Sequence, residues 1–195
     1  MPPKAKFTRD EIINAALSIV KTEGFDALTS RALGLKLGSS ARPVFTVFRN
    51  MEEVEEAVTE AAKALYKQYI QKGLTDTPAF KGAGTQYILF SINEPKLFQL
   101  LFMTEHNRIP DLSSVLPLIE ESYEEVFLSI TDTYGLNKES AEKLYRHLWI
   151  YTHGIATLCA TKMYRFTVAE ISQMMSEVFI SLLKNRKGNE NNDTC

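Results

Sequence analysis

Apolar residues recur along this chain at intervals of three and four, the spacing that lines one face of an α-helix. The first such run is Ile12, Ile13, Ala16, Leu17 and Val20. Ahead of it stand Thr8 and Glu11, three apart, where a hydroxyl can cap the helix while the carboxylate reaches back. Gly24 closes the segment. Thr29 then predicts a second, short helix through "SRALGLKL", with Ala32, Leu33 and Leu37 facing inward and Gly38 ending it in a left-handed conformation. Next comes "SSARPVFTVFR". By residue preference Val44 to Phe48 suits a strand, yet Val44, Val47 and Phe48 fall at i, i+3 and i+4. A third helix started by Ser39 or Ser40 places Pro43 in the first turn, where its missing N–H has no partner to lose.

Asn50 and Glu53 repeat the capping spacing and open a long helix from about Met51 to Lys72, with Val54, Val58, Ala61, Leu65 and Tyr69 as its apolar stripe. Residues 73–77 read as a linker. Beyond it the spacing stays helical near Pro78–Ile92, Pro95–Phe102, Leu112–Tyr134, Lys138–Lys162 and Thr167–Lys187, separated by Asn, Pro and Gly. No hairpin signal competes, so the predicted class is all-α. The polar end "NRKGNENNDTC" reads as frayed, with a disordered tail over 189–195.

Charge changes this picture. Residues 1–50 hold eight Lys and Arg against four acids, a surplus of four, so with a net charge of −2 the remaining residues carry −6. A basic head on an acidic body suits a protein that meets phosphate at one end only. The 195 residues suffice for a small domain joined to a larger one. The longest apolar runs are far short of the roughly 20 residues a membrane span needs. The start "MPPKAKFTRDEII" lacks a secretory apolar core, and Cys159 and Cys195 make no disulfide framework, so a cytoplasmic location is expected. Enzyme chemistry finds little support. No Gly-rich phosphate loop or nucleophile elbow is present, and His147 and His153, six apart, fall on different helix faces and make no metal pair. Neither catalytic residue, metal nor cofactor is expected.

Two short helices, a Gly-containing turn and a third capped segment match the helix-turn-helix. The run from Phe7 to Val54, with "IINAAL", "EGF", the Thr29 cap, "GSS" and "VFTVF", resembles the N-terminal DNA-binding domain of the tetracycline-repressor (TetR/AcrR) family. Further on, "PKLFQLLFM" and "LWIYTHGIATL", with its Trp-x-x-x-His-Gly spacing, are similar to segments of the ligand-binding and dimerisation domain of that family. The resemblance implies a helix-turn-helix domain over residues 1–50, a connecting helix over 51–73, and an effector-binding and dimerisation domain over 74–188.

It also implies DNA contacts by Arg31 at the start of the second helix and by Ala41, Arg42, Pro43, Phe45 and Val47 in the third. Ser30, Ser40, Thr46, Arg49, Lys36 and the arm Lys4 and Lys6 complete the expected surface. Only Arg31 and Arg42 carry forks that bind guanine O6 and N7 bidentately, at roughly 1–3 kcal/mol of discrimination each. Phe45 and Met51 depart from the Tyr and Lys common in the family, two phosphate contacts that other residues must replace. The implied function is a transcriptional regulator, usually a repressor, that grips a palindromic operator as a homodimer and lets go when a small effector binds.

For the effector, Phe90, Phe98, Phe102, Met103, Tyr123, Phe127, Trp149 and Tyr151 could line an apolar cavity, with His153, Tyr123 or His147 as polar contacts. The expected ligand is apolar or amphipathic. Dimerisation is expected on the last two helices, through Ile155, Cys159, Ile171, Met174, Met175, Val178, Phe179 and Leu182, with Gly154 allowing close approach. The competing reading is a helical adaptor that contacts proteins only and binds no specific DNA sequence.

Overall fold

The computed structural model describes residues 5–104 and 122–192, with side chains as far as residue 185. Among these residues the fold is all-α. Eight α-helices follow in order: α1 (Arg9–Glu23), α2 (Ser30–Lys36), α3 (Met51–Leu74), α4 (Ala79–Asn93), α5 (Pro95–Phe102), α6 (Tyr123–Tyr134), α7 (Lys138–Ala160) and α8 (Val168–Asn192). Single 3-10 turns lie at Phe25–Ala27 and Val44–Thr46. No helix among the described residues is long and apolar enough to cross a membrane.

Local chemistry explains most helix ends. The Thr8 hydroxyl accepts from the Glu11 N–H at 3.2 Å, and the Glu11 carboxylate accepts from the Thr8 N–H at 2.7 Å, the reciprocal box expected at α1. The Thr8 N–H and hydroxyl, both donating to the Glu11 carboxylate, hold that carboxyl below its ordinary value. Thr29 caps α2 by accepting from Ala32 at 3.1 Å, and Asn137 caps α7 by accepting from Ser140 at 2.9 Å. Thr167 and Glu170 form a second reciprocal box at α8. After α2, Gly38 takes φ 63°, its N–H donating to Leu35 O and the Ser39 N–H to Gly34 O. That pair of bonds satisfies the last carbonyls of the helix.

The chain divides into two compact units. The first runs to Tyr66 and adds the segment from Glu94 that forms α5; the second takes Lys67–Asn93 and the described residues from 122 onward. In the first, α1 buries Ile12, Ala16, Ile19 and Val20, α2 buries Leu33, and Val44 and Phe48 close the core at 0% and 1% exposure. The helix α5 packs on α1, where Lys21 pairs with Glu94 at 2.7 Å. Its Phe102 meets the Tyr66 ring edge-on at 5.0 Å. Assigning the α5 segment to the effector domain on sequence alone therefore separates it from the residues it packs against.

In the second unit α4 is the central helix, burying Phe80, Gly82, Ala83, Gln86, Tyr87, Ile88, Phe90 and Ser91. A helix apolar on most sides must be covered on most sides, and α6 and α7 both pack on α4. Ile88, Ile155, Ile171 and Met175 form one buried cluster, flanked by Tyr151, Cys159, Phe166 and Met174.

Three sequence expectations need correction. The buried stripe of α3 is Val54, Val58, Ala62, Tyr66 and Ile70, one residue round from Ala61, Leu65 and Tyr69 in its second half. Both sets repeat every four residues, so spacing alone cannot choose between adjacent stripes. Residues 73–77 are more than a linker: a Cβ on Gly82 would sit within van der Waals overlap of the Gly73 carbonyl, so the end of α3 and the start of α4 touch backbone to backbone. Finally, α8 continues to Asn192, into the segment read as a disordered tail. Once nucleated, a helix extends at one hydrogen bond per residue without needing apolar partners. Residues 193–195, and the 112–121 part of the expected Leu112–Tyr134 helix, lie outside the described residues.

Candidate functional site

The stretch from Ala41 to Phe48 winds as a tight coil instead of a regular α-helix. Val44 N–H donates to Ala41 O at 3.0 Å, Phe45 to Arg42 at 3.2 Å and Thr46 to Pro43 at 3.2 Å, all spanning three residues. Only Phe48 N–H, donating to Val44 O at 3.0 Å, spans four. Pro43 at φ −62°, ψ −26° sets the 3-10 geometry. The branched Val44, Thr46 and Val47 give little helix preference to oppose it. Thr46 returns its hydroxyl proton to Pro43 O at 2.7 Å, so it is engaged within the coil.

The coil is held from two sides. Beneath it Val44 and Phe48 are buried, with the Arg9 guanidinium over the Phe48 ring at 4.3 Å. Beside it α2 comes so close at Gly34 that a Cβ there would lie 2.8 Å from the Ala41 nitrogen and from the Ser40 carbonyl carbon. At its end the Asn50 side chain accepts from the Glu53 N–H at 2.9 Å, capping α3. Glu53 reaches back to Arg49, one residue beyond the expected box, accepting its N–H at 2.9 Å, and pairs with Arg9 at 2.9 Å. The Arg49 N–H and the Arg9 guanidinium hold the Glu53 carboxyl down at about 2.

What remains outward is polar, basic and aromatic. Arg31, Lys36, Ser40, Arg42, Phe45, Thr46 and Arg49 are exposed, while Ser30, Ala41, Pro43 and Val47 are half-buried. Phe45 is 42% exposed and Leu35 70%. Lys6 donates to the Ser39 hydroxyl at 3.0 Å, which ties the basic arm to the turn before the coil. Arg49 is partly committed, its side chain reaching Glu53 at 3.4 Å. Lys4 lies outside the described residues.

The second unit contains a cavity of about 150 Å³. The central helix supplies Phe80, Ala83, Gly84 and Tyr87, with Ile70 of α3 and Pro78 beside them. Val126 and Tyr134 come from α6, Tyr145, Leu148, Trp149 and Thr152 from α7, and Met175, Ser176, Phe179 and Ile180 from α8. The one charged lining residue among those described is Lys81, which is exposed.

Trp149 is the one member of the expected effector set that lines this cavity. Phe98, Phe102 and Met103 belong to the first unit, and Phe90, Tyr123, Phe127 and Tyr151 pack elsewhere in the second. Tyr123 stacks between Phe127 at 5.7 Å and Tyr145 at 5.4 Å, behind the wall. His153 stands one contact away: it stacks on Trp149 at 4.9 Å, and its Nδ1 lies 2.8 Å from the Tyr87 hydroxyl. Burial pushes the His153 imidazole below its ordinary value, favouring the neutral ring.

Several expected dimer residues face the interior of the chain. Ile155 and Ile171 are 3% exposed in the buried cluster, and Met175 and Phe179 line the cavity. Cys159, Met174, Val178 and Leu182 are half-buried, and burial raises the Cys159 thiol. Sequence reasoning missed Gly34, Tyr87 and Thr152, because an inner wall is defined by which helices meet. Neither models of known protein families nor curated protein sequences show a match to this chain.

Proposed function

We propose that this protein is a sequence-specific DNA-binding transcription regulator, acting as a homodimer on a palindromic operator as a repressor, and released by a small molecule in its interior cavity. One observation carries the reading. The coil 41–48 is anchored by Val44 and Phe48, so its free side offers Arg42, Phe45 and Thr46, with Arg31 also exposed at the start of α2, on the end of the chain with surplus positive charge. A short rigid element presenting Arg forks is what base-edge reading requires, and surrounding cations and hydroxyls supply phosphate contacts. This arrangement supports reading the protein as a helix-turn-helix regulator with a 3-10 recognition coil.

A monomer reading one half-site gains little affinity, which favours a two-fold dimer. Ile150, 49% exposed, offers apolar surface on α7, and a Cβ on the exposed Gly154 would meet nothing within 4 Å among the described residues. That α7 face, with the half-buried Cys159, Met174, Val178 and Leu182, is the surface such a dimer would use. Effector binding acts by favouring an arrangement of the two recognition coils that no longer fits successive major grooves.

Selection of bound duplexes from a random pool tests the proposal. The wild-type chain should enrich a near-palindrome with binding that falls steeply with salt, and Arg42→Ala, an exposed side chain, should lose the sequence preference while remaining folded. Salt-independent or absent DNA binding by the folded protein would favour a helical adaptor instead.

A further inference from the structure

The cavity specifies its ligand more narrowly than "apolar". We propose that it binds a neutral, single-ring or at most fused two-ring aromatic molecule carrying one N–H or O–H donor, that donor bonding to the Thr152 hydroxyl oxygen. The proposal rests on reading the cavity as the effector site.

Size comes first. An apolar hole of about 150 Å³ is large enough for a benzene-sized molecule. Long chains and polycyclic compounds exceed it and would leave part of their apolar surface in water at its open side. The shape of the wall favours a ring: Phe80 stands edge-on to Tyr145 at 89° and tilted at 46° to Phe179, and Phe179 is tilted at 55° to Tyr134. Rings in tilted and edge-on arrangements accept a further ring on the same terms, positive edge to negative face.

Charge comes next. No acidic side chain lines the cavity among the described residues, so a cationic ligand would shed water without gaining a counter-charge. Lys81 is exposed, and an anion would pair with it at the rim, in water, rather than among the rings.

Thr152 sets the polar requirement. It is 4% exposed and its single proton is already given to the Leu148 carbonyl at 2.7 Å, the nearer of two acceptors, with Met175 Sδ at 3.4 Å. Its oxygen can still accept. At this oxygen a ligand donor is therefore matched and a ligand acceptor is not. Gly84 on the facing helix leaves the room: a Cβ there meets only the flexible tip of Met175, at 3.3 Å.

Calorimetric titration of the full chain with phenol, indole, toluene, benzoate and benzylammonium tests this without DNA. Phenol and indole should bind saturably, toluene about tenfold more weakly for lack of the donor, and the two ions not measurably. Thr152→Val should bring phenol down to toluene while toluene is unchanged. Gly84→Leu should abolish binding with an equal or higher unfolding temperature, since it fills the cavity and improves helix propensity. Equal binding of phenol and toluene by the wild type, benzoate binding lost in Lys81→Ala, or unchanged indole binding in Gly84→Leu would each overturn the proposal. Specific DNA binding with no ring ligand bound refutes this inference and spares the regulator; indole binding without DNA binding does the reverse.

Discussion

Replacing Gly34 by Ala sets two physical effects of opposite sign against each other. Helix preference favours alanine inside α2 by about 1 kcal/mol. Against that, the new Cβ would lie 2.8 Å from the Ala41 nitrogen and the Ser40 carbonyl carbon and 3.1 Å from the Ser39 carbonyl oxygen. Contact distance is roughly 3.5 Å or more, so α2 and the coil must separate by several tenths of an ångström. The neighbours are backbone, fixed by the Ser39-to-Gly34 and Val44-to-Ala41 hydrogen bonds, and cannot rotate away. Over-packing of this kind costs about 1–3 kcal/mol, leaving a net loss of about 1 kcal/mol and a midpoint lower by several degrees. Urea and thermal unfolding followed by circular dichroism measure it. Gly84→Ala is the control, since its Cβ meets only a flexible methyl and should stabilise by up to ~1 kcal/mol. A Gly34→Ala protein more stable than wild type would refute the close-approach argument. Because the same contact sets where Arg42 stands, the proposed operator affinity should fall with it.

Two predictions concern pH. Glu53 titrates near 2 in the folded chain against 4.5 ordinarily, so its contribution is complete above pH 4.5 and lost as pH falls toward 2. Glu53→Gln should flatten the acid limb of the stability curve in that window, and an unchanged limb would mean that the Arg9 and Arg49 contacts do not persist in solution. His153 moves the other way. Its folded value lies below the ordinary 6.5, so the unfolded chain takes up the proton first and stability declines as pH falls through 6.5. His153→Gln should lessen that decline, measured by denaturation between pH 8 and 5; an undiminished decline would assign it to other groups.

The helix ends were legible because they depend on neighbours in sequence. Thr8 with Glu11, Thr29, and Gly38 at φ 63° act within one turn, and the chemistry of their own side chains or backbone suffices. The outward positions of Arg42 and Phe45 were also legible, since burying Val44 and Phe48 leaves them on the other side. The form of the coil was not. Spacing at i, i+3 and i+4 fits a 3-10 wind as well as an α-helix over so few residues, and Pro43 together with the approach of Gly34 selected the tighter one.

The cavity lay beyond sequence reasoning for a related reason. Aromatic residues at helical spacing are abundant here, and nothing local separates Trp149, which lines the space, from Tyr123, which stacks behind it. Phe98 and Phe102 read as equal candidates until their segment packs on α1 and α3 in the other unit. The sequence by itself determined an all-α chain, its capped helix starts and a basic end with an outward arginine pair, because each follows from periodicity, short-range hydrogen bonding or charge count. Only the tertiary structure decided which of two adjacent stripes on α3 is buried, where backbones meet at Gly34 and at Gly73 with Gly82, and which rings surround the cavity. Those are properties of how separate elements meet, whether neighbouring or distant in the chain, and burial is assigned by the partner as much as by the residue.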